Sequence, residues 1–149
     1  MRTRIALRVA ALVAGMLCAG AAVAASQVII QKGDGQDQIL TITGDDGATT
    51  HSITIVCEYP KLEYGFVIQS PQAGPRLRLK ADGASVSAGK PLVAGGSATF
   101  LLKGRAGQNL FNRVTAAKIV EVESGGARMR FRLSDGAAVV ARFRQLCGL

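Results

Sequence analysis

The chain has 149 residues with 18 basic and 10 acidic side chains, a net charge of +8, three cysteines and one histidine. This length suits one domain that buries a hydrophobic core of its own. Histidine and cysteine are too few to supply the ligands of a zinc site, and we predict neither a metal nor a cofactor.

The N-terminal segment 1–25 has the layout of a secretory signal peptide. Its basic start contains Arg2, Arg4 and Arg8. An apolar stretch follows from Val9, and small residues around Ala24 suit a signal peptidase. A membrane anchor is the alternative, but the run is rich in alanine and glycine and shorter than the roughly 20 strongly apolar residues that a span needs.

Cys18 lies inside this segment and raises the alternative of a lipid anchor. The residue before it is Leu17, whereas a lipoprotein processing site has a small residue there. We therefore expect Cys18 to be removed with the signal peptide. The predicted mature protein is a single domain, residues 26–149, in the periplasm or outside the cell.

Two-residue alternation dominates the first half of this domain and predicts β-strands. "QVIIQK" and "QDQILTIT" flank an Asp-Gly pair at 34–35, which favours a tight hairpin. A two-residue turn there predicts Lys32 opposite Asp37 and Ile30 opposite Ile39.

The next segments continue the strand pattern. In "TTHSITIVCEY", Ile53, Ile55 and Cys57 share one face, so Cys57 should point into the core. Further strands are predicted in "YGFVIQS", "RLRLK" and "SATFLLK". The small residues between Asp82 and Gly96 indicate a loop with one weak strand at most.

The last forty residues combine helices with a hairpin. Apolar spacing in "NLFNRVTAAK" predicts an amphipathic helix near 108–117. "KIVEVE" and "RMRFRL" should form a hairpin with its turn at 124–127. Ser134 and Asp135 are typical of a helix start and predict a final helix near 135–146.

Cys57 and Cys147 remain after signal removal, and in an oxidising compartment we expect them to form a disulfide. Their spacing excludes a CxxC redox pair. The bond would close a loop of 90 residues, worth roughly 4 to 5 kcal/mol on the chain-entropy model. The predicted fold is mainly β (α+β): an antiparallel β-sandwich-like domain with two short helices, of which the C-terminal one is tied to the sheet by this disulfide.

The order of these elements resembles a known group of proteins. A strand with a cysteine ("ITIVCEY"), a helix–hairpin unit ("LFNRVTAAKIVEVESGGARMRFRL") and a closing helix with a cysteine ("DGAAVVARFRQLC") are similar to small periplasmic β-rich proteins of the type VI secretion-associated and invasion-associated locus B groups. The second cysteine pair of the latter group is missing here. The resemblance implies an exported β-sandwich with a helix and no catalytic residue.

Charge is distributed unevenly along the chain. Residues 26–65 have a net charge of −4, whereas residues 76–149 have a net charge of +9. Two strands concentrate the positive charge on one face each, because side chains alternate along a strand. Their basic residues are Arg76, Arg78 and Lys80 in the first and Arg128, Arg130 and Arg132 in the second.

This basic surface has two interpretations, an ordinary solvated face or a binding site for an anionic partner. The late hairpin predicts Glu123 opposite Arg128 and Glu121 opposite Arg130, pairs that stabilise a sheet by about 0.2–1 kcal/mol each. Arg132 should then face Ile119. On this basis the cations expected to be unopposed, and to matter most for binding, are Arg76, Arg78, Lys80 and Arg132.

Catalytic groups are scarce. The single histidine, His51, lies among small polar residues beside a turn and is expected at the surface, so a Ser-His-Asp triad is not predicted. Glu58 and Glu63 are the one candidate glycosidase pair, but nothing in the sequence shapes a sugar cleft around them. We predict no catalytic residue.

The predicted function is therefore that of a non-enzymatic periplasmic accessory or interaction protein. Its partner would be an envelope protein or an anionic envelope component. Nucleic acid is not expected, because the chain is exported and its few aromatic residues provide no stacking platform. The alternative is a small envelope hydrolase or an inhibitor of one.

Overall fold

The computed structural model describes residues 27–32, 37–45, 50–59, 61–124 and 126–149. The predicted signal peptide, including Cys18, and the Asp-Gly turn at 34–35 lie outside these ranges. No helix within the described ranges combines the length and the apolar character that crossing a membrane requires.

The described residues form ten strands and two α-helices. The first five strands are β1 (Gln27–Lys32), β2 (Asp37–Asp45), β3 (Thr50–Glu58), β4 (Glu63–Gln69) and β5 (Arg78–Ala81). The other five are β6 (Ala84–Val86), β7 (Leu92–Ala94), β8 (Ser97–Lys103), β9 (Ile119–Ser124) and β10 (Ala127–Arg132). Helix α1 is Gly104–Ala116, and helix α2 is Ala137–Leu146.

The strands are arranged in two antiparallel sheets. The larger sheet has the order β1-β2-β3-β4-β8-β7, and the smaller has the order β10-β9-β5-β6. Their inner faces and the apolar sides of both helices enclose one core, with five fully buried phenylalanines among its largest side chains. The predicted fold, mainly antiparallel β with two short helices, is confirmed.

Strand β3 shows how alternation builds this core. Ile53, Ile55 and Cys57 are fully buried, as predicted from their common face. His51 has the same parity and is also buried, with only 2% of its surface exposed. The expectation that His51 lies at the surface is therefore wrong. The neighbouring Ser52 is only partly buried, but two-residue alternation directs the side chain of His51 inward, like that of Ile53.

The first hairpin differs from its predicted register by one residue. Lys32 pairs with Gln38, and Ile30 pairs with Leu40. The predicted register would have placed Ile30 opposite the outward-facing Ile39. The observed one aligns Ile30 with Leu40, which is fully buried, and so keeps the apolar side chains of both strands on the core side.

The segment between Asp82 and Gly96 contains two short strands rather than one at most. Strand β6 joins the smaller sheet and β7 joins the larger one, so the chain crosses between the sheets here. Asp82 anchors the start of the segment, because its carboxylate accepts hydrogen bonds from the backbone N–H groups of Lys118 and Ile119 at 3.0–3.2 Å. Local sequence patterns could not predict this contact, because Asp82 and Lys118 are far apart in the sequence.

Both helices start at positions other than predicted. Helix α1 begins at Gly104, earlier than the predicted 108. Helix α2 follows a 3-10 turn at Leu133–Gly136 and has no side-chain cap. Ser134 and Asp135, which predicted the helix start, lie within that turn, just before α2. The start of α2 lies very close to β1, because a Cβ added at Gly136 would be only 2.4 Å from the Cβ of Val28.

The disulfide between Cys57 and Cys147 is present, as predicted, with 6.0 Å between the two Cα atoms. Both residues are fully buried, and Cys147 directly follows the last residue of α2. The bond therefore ties the C-terminal helix to the central part of the larger sheet. The ring of Phe143 on α2 also packs against that of Phe111 on α1, with centroids 5.9 Å apart.

Candidate anion-binding site

The candidate site is the solvent-facing side of the smaller sheet, which we call the basic sheet face. Strand β9 runs between β5 and β10, so cations from both neighbours flank its two glutamates. The charged residues of this face are Arg78 and Lys80 on β5, Glu121 and Glu123 on β9, and Arg128, Arg130 and Arg132 on β10. Arg76 lies just before β5. The structure thus assembles all six predicted basic residues along adjacent strands.

The late hairpin has the predicted register. Glu123 pairs with Arg128, Glu121 pairs with Arg130, and Ile119 pairs with Arg132. On the other side of β9, Glu123 lies opposite Arg78, and Glu121 lies opposite Lys80. Sequence patterns did not reveal that second set of pairs, because it joins segments some forty residues apart.

Ion pairs link the three strands. Arg130 donates two hydrogen bonds to one oxygen of Glu121, at 2.8 and 3.1 Å. Glu123 is shared: its Oε1 accepts from Lys80 Nζ at 2.8 Å and from Arg128 Nη2 at 3.1 Å. Each glutamate is thereby engaged by the side chains around it.

Glu123 is the electrostatic centre of this network. The hydrogen bond from Lys80 lowers the pKa of Glu123 below its ordinary value, and the nearby charges of Lys80 and Arg128 act in the same direction. Partial desolvation opposes this shift. Glu123 is accordingly ionised at neutral pH and neutralises part of the positive charge around it.

The six cations differ in their pairing. Lys80 was expected to be unopposed, and this is wrong because it forms the ion pair with Glu123. Arg132 also interacts with a partner. Arg76 and Arg78 form no ion pair or side-chain hydrogen bond in the part of the chain that the structure describes. Both guanidinium groups are exposed, and no side chain of the described residues engages their donors.

A cleft of about 360 Å³ opens at this end of the face. We call it the arginine cleft. Its lining residues are Arg76, Arg78, Glu123, Ser124, Gly126, Ala127 and Arg128. Three arginines and a single glutamate thus line the cleft, and the carboxylate of that glutamate is already shared by two cations.

Neighbouring hydrogen bonds hold the cleft together. Ser124 Oγ donates to the carbonyl oxygen of Gln72 at 2.6 Å, which fastens the segment before β5 to the end of β9. The backbone N–H of Gln72 in turn donates to Ser70 Oγ at 3.1 Å. These bonds fix the chain that carries Arg76 next to the hairpin that carries Arg128.

The candidate glycosidase pair lies elsewhere. Glu58 and Glu63 are direct cross-strand partners on β3 and β4. Each is also bound by a lysine: Glu58 forms an ion pair with Lys61, and Glu63 forms one with Lys103 at 3.1 Å. Both carboxylates therefore have a structural partner at the end of the larger sheet.

Metal ligands do not gather in the described residues either. Those residues contain no group of three or more histidine, cysteine, aspartate or glutamate side chains that is arranged to hold an ion. No protein family model, curated protein or solved structure matches the chain. Function is therefore inferred from the site itself.

Proposed function

We propose that this protein is a non-enzymatic accessory protein of the bacterial envelope, exported to the periplasm, where it binds an anionic partner through the arginine cleft. One observation carries the proposal: Arg76 and Arg78 lie beside a cleft without an ion-pair partner in the described residues, while the neighbouring cations are engaged by glutamates.

The chemistry of arginine defines the ligand. A guanidinium group donates two parallel hydrogen bonds to a phosphate or carboxylate, which a lysine cannot do. Arg76 and Arg78 would make these contacts. Arg128 contributes positive charge from the opposite wall while it remains bound to Glu123. The ligand class is a phosphate or carboxylate group displayed on envelope material or on an acidic protein surface.

The shape of the site favours binding over catalysis. Enzyme sites are usually pockets in which several titratable groups converge on one substrate. Here the charged groups spread across three strands and point to solvent, and their carboxylates are held in ion pairs. Such a surface suits recognition of an extended anion.

Export and the family resemblance belong to the same proposal. The confirmed disulfide supports export, because such bonds persist in oxidising compartments. The likeness to the type VI secretion-associated and invasion-associated locus B groups stays a prediction from the sequence, and the proposal does not depend on it.

The test is binding to vesicles, with the protein expressed as the full chain and purified with its disulfide intact. Phosphatidylglycerol vesicles provide anionic phosphates, and phosphatidylcholine vesicles serve as the neutral comparison. We expect binding to the anionic vesicles alone. Arg76→Gln with Arg78→Gln should weaken it by about 2 kcal/mol, since each basic residue near an anionic surface contributes about 1 kcal/mol.

A matched control distinguishes binding at the arginine cleft from a general electrostatic attraction of the basic protein to anionic vesicles. Arg105→Gln with Arg142→Gln removes the same charge from exposed positions on the two helices. If the proposal is right, this control binds as the parent protein does. Equal weakening in both double variants, or binding to neutral vesicles, would refute the cleft as the site.

A further inference from the structure

A second surface of the molecule has a different character, and it lies on the larger sheet. Strand β8 pairs with β4 along its whole length, but β7 covers its other edge only at Ser97–Thr99. In the described part of the chain no strand pairs with the rest of that edge, from Phe100 to Lys103. An unpaired edge presents backbone N–H and C=O groups to any strand that approaches.

Proline accounts for the point at which pairing ends. Pro91 immediately precedes β7 and would be the next residue opposite β8, but it has no N–H to donate to the ladder. Gly89, with φ of +80°, then lets the chain turn away toward the smaller sheet. The open edge is thus a consequence of local sequence.

A groove of about 530 Å³ runs beside this edge, between β8 and α1. We call it the edge groove. Its lining residues are Ser87, Ala88, Gly89, Leu101, Leu102, Lys103, Ala106, Gly107, Asn109, Leu110 and Arg113. Aliphatic side chains and glycines form most of this surface, with polar and basic groups at the rim.

Leu101 is the most exposed apolar side chain of the edge groove, with 63% of its surface accessible. Its cross-strand neighbour on β4 is Gly65, which has no side chain to cover it. An incoming strand at this open edge would cover part of the exposed Leu101 side chain and so bury apolar surface.

The charged residues at the rim of the edge groove indicate which kind of partner can bind there. Arg113 is exposed and forms no ion pair among the described residues, and Lys103 is exposed although it also contacts Glu63. A second copy of this protein has the same cations at this edge and would add positive charge to a groove that already has a positive rim. An acidic segment complements them.

We propose that the edge groove binds an extended, acidic peptide segment of another protein, which adds a strand to β8. Backbone hydrogen bonds to the edge would provide affinity, as in other cases of strand addition. Side chains of the added strand would alternate between the two faces of the sheet. One apolar side chain would pack beside Leu101 on the outer face, and the next would approach Leu110 on the face that α1 covers. A carboxylate would pair with Arg113. This site is independent of the arginine cleft, which lies on the other sheet.

The probe is a fluorescent peptide of about eight residues, an ordinary strand length, in which valine and threonine alternate and the last two residues are aspartate. A second peptide ends in two lysines instead. We expect the aspartate peptide to bind the full-chain, disulfide-intact protein more tightly than the lysine peptide. Its binding should also slow hydrogen exchange of at least one backbone amide between Leu101 and Lys103.

Paired charge reversals on α1 test the role of the rim. Arg113→Glu should weaken binding of the aspartate peptide by about fivefold, the upper range for one exposed ion pair. Arg105→Glu makes the same charge change on the same helix outside the groove and should leave binding unchanged. Thermal unfolding of both variants checks that each is folded.

Three results would overturn the proposal: equal binding of the two peptides, no binding of either, or equal effects of the two reversals. A concentration-dependent dimer that protects the same amides without peptide would also overturn it, since the occupant would then be a second copy. None of these results bears on vesicle binding by Arg76 and Arg78, so the two proposals fail separately.

Discussion

Lys80 forms its ion pair with Glu123, 2.8 Å away, although the residue directly opposite Lys80 on β9 is Glu121. The diagonal contact has a consequence for Arg78, which is the direct cross-strand partner of Glu123. Glu123 Oε1 accepts from Lys80 and Arg128 instead, and Arg78 forms no ion pair in the described residues. The proposed binding of an anion in the arginine cleft rests on this displacement.

Removing the carboxylate from the cleft should strengthen anion binding. Glu123→Gln eliminates the single negative charge that lines the cleft, and we expect binding to phosphatidylglycerol vesicles to tighten by about 1 kcal/mol, the scale of one charge near an anionic surface. Glu121→Gln makes the same charge change outside the cleft and should have a smaller effect. Equal gains in both variants would contradict a localised site.

The lowered pKa of Glu123 predicts a pH-dependent contribution to stability. Because the folded-state pKa lies below the ordinary value of 4.5, the ionised form is favoured in the folded protein. The stabilisation is therefore complete above the unfolded-state pKa and is lost as the pH falls through the folded-state pKa.

Lys80→Met tests this assignment. The variant should raise the pKa of Glu123, as measured by NMR titration of its carboxyl carbon, because the hydrogen bond from Lys80 is the largest cause of the shift. Its stability deficit against the parent protein should be present at neutral pH and shrink as Glu123 becomes protonated. An unchanged pKa of Glu123 would show that Lys80 does not hold it.

Loss of the disulfide should destabilise the fold and release α2. Cys57→Ala with Cys147→Ala is expected to lower the free energy of unfolding by about 2–5 kcal/mol, the usual range for a native disulfide. Chemical denaturation measures the loss, and hydrogen exchange should show faster opening in Ala137–Leu146 than in the central strands. Uniform acceleration throughout the protein would contradict a local tether.

Gly136→Ala tests the close approach between β1 and the start of α2. The new Cβ would lie 2.4–2.9 Å from three side-chain carbons of Val28, and we expect a loss of about 1–3 kcal/mol from overpacking. Gly65→Ala is the control, because its Cβ would meet its nearest neighbour, the carbonyl oxygen of Phe100, at 3.7 Å. A similar loss at both positions would remove steric contact as the explanation.

Local patterns predicted the features that depend on neighbouring residues. Two-residue alternation located the main strands, and the two-residue Gly-Gly turn predicted Glu121 opposite Arg130 in the correct register. Alternation also indicates that His51 is buried, because it lies on the same face of the strand as Ile53. The polar residues next to His51 in the sequence led to the wrong prediction of a surface position. The predicted register of the first hairpin was wrong because an Asp-Gly pair favours a two-residue loop. The observed register is instead the one that aligns Ile30 with Leu40 on the core side.

The candidate site depended more on contacts between distant segments. Equal spacing of basic residues showed that each strand has a charged face, but the pairing of β5 with β9 joins residues such as Lys80 and Glu121 that are far apart in sequence. No local pattern reports that pairing or the diagonal ion pair to Glu123. Only the three-dimensional structure could therefore show that Arg78 forms no ion pair with any described residue.

The central claim is that Arg76 and Arg78 together bind one anion in the arginine cleft. NMR titration with pyrophosphate tests this claim most directly. We expect the side-chain Nε–Hε signals of Arg76 and Arg78 to shift together and saturate, with those of Arg105 and Arg142 unmoved. Added salt should weaken this binding, since exposed charges are screened. Small, unsaturated shifts of equal size at all four arginines would contradict the claim and show that the basic sheet face is an ordinary solvated surface.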